Sequence, residues 1–125
     1  VRKPFSLGYG YVDLKGFKNQ EKRLLQLHKD LKQLISKYKP NAIAVESLFF
    51  FKNAKTVTQV LHSRGVILMT AAEMGVDVFE YTPLQVKQTI TGYGKADKKM
   101  ILKLVQSTLN IKTNISPDDV SDALA

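Results

Sequence analysis

An α/β fold follows from three features of this 125-residue sequence. The run Asn41 to Glu46 is apolar, short and β-branched in part, which suits a strand. Long helical periodicities flank it on both sides. A second short apolar run, Val76 to Tyr81, follows the second of these helices. Alternating strands and helices point to α/β.

Taken in order, Phe5 to Leu14 is predicted as a strand, with Phe5, Leu7, Tyr9 and Tyr11 alternating with smaller or polar residues. Gly8 and Gly10 weaken it. Residues 19 to 38 carry Leu24, Leu27, Leu31, Leu34 and Ile35 at helical spacing. Asn19 is placed to cap this helix and Pro40 to stop it. Its opposite face bears Lys22, Lys29, Lys32 and Lys37, a pattern that fits a solvated surface. Residues 54 to 74 form a long helix with apolar residues around much of its circumference, which implies burial on more than one side. One side would meet the sheet, and the other a subunit partner. Pro83 suits a helix start, and the short helix from Leu84 to Ile90 ends at Gly92. An amphipathic helix spans Ala96 to Leu109. Pro117, Asp118 and Asp119 open a last helix. No repeat, low-complexity segment or linker divides the chain, so residues 1–125 read as a single domain.

Composition narrows the function. There are 19 Lys+Arg against 11 Asp+Glu, a formal net charge of +8. Such an excess concentrates polyanions near the surface. The absence of cysteine excludes disulfides, thiolate catalysis and cysteine-based zinc sites. No apolar run approaches a membrane span and no signal-type segment opens the sequence, so no membrane association and a cytoplasmic location are expected.

Two acidic elements stand out in this basic chain. The first is Glu46, where the strand Ala42-Ile43-Ala44-Val45 meets Ser47-Leu48-Phe49-Phe50-Phe51-Lys52-Asn53. A carboxylate at a strand end lies at the lip of a sheet, where ligands bind in open α/β folds. The second is Asp118-Asp119-Val120-Ser121-Asp122. Asp119 and Asp122 are three residues apart and share a helix face. They supply the oxygen ligands that hard divalent cations prefer, although acids in a first helical turn also offset the helix dipole. Acids that hold cations, in a chain that attracts phosphates, suggest a metal-dependent nuclease. Between them, Gln85 to Lys99 reads as a basic, glycine-punctuated helix–loop–helix, with Lys87, Lys95, Lys98 and Lys99 placed for phosphate contact. The three phenylalanines cannot all point inward, and an exposed one could stack on an unpaired base. His28 and His62 lack a companion at ligand spacing and read as structural or exposed.

Taken together, these residues resemble the RuvC family of Holliday-junction resolvases. The segments that carry the resemblance are Ile43 to Glu46 with Phe49, Lys52 and Asn53; Ala54 to Gly65; Val78 to Tyr81 with Gln85 to Thr89; Gly92-Tyr93-Gly94; and Asp119 to Ala125. The resemblance implies an RNase H-like fold with a mixed central sheet flanked by helices. It implies a magnesium-dependent endonuclease that resolves four-way DNA junctions by paired symmetric nicks in recombination and repair. By motif position, Glu46, Asp119 and Asp122 would be three of four catalytic carboxylates and would hold two Mg²⁺ ions, with Mn²⁺ able to substitute. Lys87 and Lys98 match family lysines near the scissile DNA, and Phe49 matches an aromatic that touches bases at the crossover. Lys52, Lys95 and Lys99 complete the expected DNA contacts. A homodimer is implied, with the helix from Ala54 supplying much of the contact, and RuvA and RuvB branch-migration proteins are implied as partners. One departure stands beside this. The family's first strand carries a Gly-Ile-Asp-Pro-Gly-type motif with the first catalytic Asp, and no such motif occurs here. A junction-binding module without catalysis is the alternative that this departure raises. A different RNase H-like nuclease, acting on other nucleic acids, is a third reading.

Overall fold

The computed structural model describes residues 4–47, 54–92, 97–113, 115–116 and 118–125, leaving aside the side chains of residues 54–56, 118, 119 and 121. Its elements run α1 (Gln20–Tyr38), β1 (Ala42–Glu46), α2 (Ala54–Glu73), β2 (Asp77–Tyr81), α3 (Pro83–Thr91), α4 (Lys98–Leu109) and α5 (Asp118–Leu124). The chain forms two compact units, one of Val12–Glu80 and one of Val1–Tyr11 with Tyr81–Ala125.

In the Val12–Glu80 unit, β1 and β2 are hydrogen-bonded neighbours joined through α2. A helical crossover between adjacent strands is the βαβ arrangement of a parallel sheet. Helix α1 starts after Asn19, whose backbone is extended but whose side chain makes no capping bond. It ends at Lys39, which takes a left-handed conformation with φ 47° and donates its N–H to the Ile35 carbonyl at 2.8 Å. Pro40 follows and cannot extend the helix.

Helices α1 and α2 pack together around buried Ile35 and Ala71. A polar clamp crosses the same contact. Thr70 is fully buried, and its hydroxyl donates to the Val66 carbonyl at 2.7 Å. That hydroxyl has one hydrogen, so the His28 Nδ1 at 2.8 Å is the donor to it. Glu73, one turn further along α2, takes the Lys32 ammonium at 2.5 Å and faces the His28 Nε2 at 3.9 Å. His28 is therefore a structural residue. Thr70→Val keeps the volume but leaves the half-buried His28 Nδ1 without its acceptor. It is expected to destabilise the chain by about 1–3 kcal/mol, the usual effect of stranding a buried polar group. Chemical denaturation of the variant and its parent measures this directly.

The other unit is organised by a small apolar core. Ile101 and Val105 on α4, Ile115 in the following loop and Val120 on α5 are buried together, with Leu102, Leu109, Ile111 and Leu124 packed around them. Tyr9 reaches the same loop through a 2.8 Å hydroxyl contact with Thr113. Helix α3 has a full capping box, in which the Thr82 hydroxyl accepts from the Gln85 N–H and the Gln85 side chain accepts from the Thr82 N–H. Gly92 ends it with φ 84°, where a side chain would be strained.

Two sequence expectations change. Phe5 to Leu14 forms neither strand nor helix. Phe5, Leu7, Tyr9 and Tyr11 are all exposed, so the alternation has no buried face to serve. Alternation yields a strand only when a neighbouring backbone pairs with it, and none does among the described residues. Helix α4 begins at Lys98 rather than Ala96. Asp97 holds an extended backbone and accepts the Met100 N–H at 2.8 Å, which makes it the cap.

Candidate metal and nucleic-acid site

Each acidic element sits where its local sequence puts it. Glu46 is the last residue of β1 and is half-buried. The alternation of β1 turns Ile43 and Val45 to one face and Ala44 and Glu46 to the other. Asp119 and Asp122 lie on α5. That helix is fixed by buried Val120 and by Leu124, which pack on α4. Asp122 is half-buried, and the Asp119 side chain lies outside the described residues. Glu46 belongs to the Val12–Glu80 unit, and the two aspartates belong to the other. Among the described residues, no three Asp, Glu or His side chains gather at one point. What fits a hard divalent cation here is the chemistry of the donors, since all three carry carboxylate oxygens.

The basic residues divide similarly. Lys87 is half-buried on α3, and Lys98 and Lys99 are exposed in the first turn of α4, directly after the Asp97 cap. Phe49, Lys52 and Lys95 lie outside the described residues.

Two ion pairs escaped the sequence reading. Arg64 on α2 reaches Glu80 on β2, tying the crossover helix to its strand. The Lys32–Glu73 pair joins α1 to α2. Both link residues on separate elements, and nothing local announces them. The hydrogen bond from Lys32 holds the Glu73 carboxyl below its ordinary value of 4.5; desolvation opposes this, and the charges of Lys32 and His28 add to the lowering. A carboxyl with a depressed folded value adds stability that is complete above its unfolded value and is lost as pH falls through the folded one. Acid unfolding of Glu73→Gln should therefore be less pH-dependent than that of the parent below about pH 4.5, as thermal melts across that range would reveal.

The family model described as "Crossover junction endodeoxyribonuclease RuvC" matches residues 2–125. This chain belongs to the RuvC family. A RuvC from Ruminiclostridium cellulolyticum is 52% identical over 103 residues, covering 82% of this chain and 62% of the relative. Its counterpart from Caldicellulosiruptor saccharolyticus is 46% identical over 119 residues, covering 95% of this chain and 72% of that protein. This chain thus spans a little over three fifths of the first relative's length. Among solved structures, Thermus thermophilus RuvC in complex with a Holliday junction substrate superposes with a TM-score of 0.82 at 32% identity, covering 86% of this chain and 65% of that one. The fold is accordingly the RNase H-like fold of the RuvC proteins, and its α/β class agrees with the sequence expectation.

Proposed function

We propose that this chain is the single nuclease domain of a magnesium-dependent, structure-selective endonuclease that resolves four-way DNA junctions by paired symmetric nicks. The observation that carries the reading is its membership of the RuvC family over residues 2–125. The Thermus neighbour, a RuvC in complex with a Holliday junction substrate, supports four-way DNA as the ligand. In this reading Glu46, Asp119 and Asp122 hold two Mg²⁺ ions, with Mn²⁺ able to replace them. The metals would supply an activated water and countercharge for the leaving oxygen. Carboxylates brought together repel one another, and a cation bound between them would relieve that repulsion. Phosphates are taken by Lys87, Lys98 and Lys99, together with Lys52 and Lys95, and Phe49 contacts bases at the crossover.

A homodimer completes the reading, because symmetric nicks need two sites. Helix α2 offers the face. Leu61, Gly65, Met69 and Ala72 recur at helical spacing and are exposed, and a Cβ at Gly65 would meet nothing within 4 Å. An exposed apolar stripe of this kind is what a partner helix covers. Cytoplasmic residence and work beside RuvA and RuvB belong to the same reading; among the described residues no helix is long and apolar enough to cross a membrane.

Competition tests the substrate class. A labelled four-way junction bound in Ca²⁺ should survive about a hundredfold excess of linear duplex or RNA–DNA hybrid, since structure-specific complexes exceed non-specific ones by roughly a thousandfold or more. Displacement by either competitor at parity would point to a different RNase H-like nuclease.

A further inference from the structure

The lysine face of α1 is not used by the site above, and its surroundings differ from those of a neutral solvated face. Lys22, Lys29, Gln33 and Ser36 are seven, four and three residues apart, so they stack along one stripe of the helix. This stripe lies opposite buried Ile35. A shallow depression of about 590 Å³ is lined by Lys29, Lys32, Gln33, Ser36 and Lys37, with no carboxylate in its wall. The nearby acids are largely engaged: Glu73 by Lys32, and Asp30 by the Gln26 amide at 2.8 Å. Glu21 is next to Lys22 in the first turn of α1. Lys22, Lys29 and Lys37 are exposed, and the Lys37 ammonium rests 5.0 Å from the Tyr38 ring centre. Among the described residues, none of these three has an ion-pair partner.

Spacing selects the ligand. Lys22 to Lys29 and Lys29 to Lys37 are steps of about 10 and 12 Å along a helix axis. Those steps suit phosphates on strands either side of a groove about 12 Å wide, as in a B-form duplex, better than one compact anion. We infer that the Lys22–Lys29–Lys37 face of α1 is a second, sequence-independent contact for a duplex arm, separate from the lysines assigned to the scissile strands. The inference rests on the reading that the chain acts on junction DNA. Such a contact holds an arm in place and takes no part in the bond cleavage.

The test is the salt dependence of binding in Ca²⁺, on a four-way junction and on a linear duplex, for the parent and for K22A/K29A/K37A. Alanine at exposed helical positions favours the helix, and circular dichroism checks that the fold is kept. Each lost phosphate contact lowers the slope of log K against log salt by about 0.9. The triple variant should lose about 2 to 3 in slope on both DNAs. The triple arginine variant should restore it, and single-turnover nicking at saturating protein should not change. An unchanged slope on both DNAs would overturn the inference, as would an unchanged slope with lost binding to polyglutamate, which would assign the face to an acidic protein. Failure of the parent to prefer the junction over the duplex would sink the functional reading instead, while the duplex slopes still decide the role of α1.

Discussion

Replacing Glu46 with Gln is expected to lower junction nicking more than about a hundredfold while leaving junction binding in Ca²⁺ within a few-fold of the parent. Loss of metal-supporting groups beyond the ligands already costs 10–100-fold, so loss of a ligand should reach at least the upper end. Glutamine keeps the shape and removes only the charge. Because Glu46 is the last residue of β1 and glutamine keeps its shape, the substitution should leave the fold intact. Single-turnover cleavage of a labelled junction, beside a gel-shift titration, separates the two effects. Undiminished nicking would remove Glu46 from the role assigned to it.

Asp122→Asn should have a comparable effect, and the double variant with Glu46→Gln should be scarcely worse than either single one. Groups that act as one unit are not additive, because removing one already removes the unit's contribution. Independent sites would instead multiply their losses. The comparison therefore asks whether a β1 residue and an α5 residue serve the same metals. It also answers through a second readout, since Mg²⁺ should raise the melting temperature of the parent and raise that of either variant less. Multiplicative losses, with metal stabilisation unchanged in both variants, would assign the acids to separate tasks.

What the sequence made legible is what local chemistry determines. The Pro83 start and the Gly92 stop of α3 are as expected, while the Thr82–Gln85 capping box at its start went unread. The periodicity of residues 19 to 38 gives α1, and the apolar runs give β1 and β2. The Phe5 to Leu14 strand fails because a strand depends on a partner backbone that no local pattern encodes. The clamp of His28, Thr70, Lys32 and Glu73 was illegible for a related reason: its members meet only when α1 packs on α2. For the candidate site, the types and elements of Glu46 and Asp122 were readable, and the resemblance to RuvC resolvases gave them a joint role. A cation shared between them is proposed from that resemblance alone, since local sequence does not say how distant segments meet.

Cleavage of a labelled four-way junction by this chain, once in Mg²⁺ and once in Ca²⁺, tests the central claim most directly. The account predicts paired symmetric nicks in Mg²⁺ and a shifted but uncut complex in Ca²⁺. A shifted complex without nicks in either metal, or in Mn²⁺, would contradict it and leave a junction-binding module without catalysis.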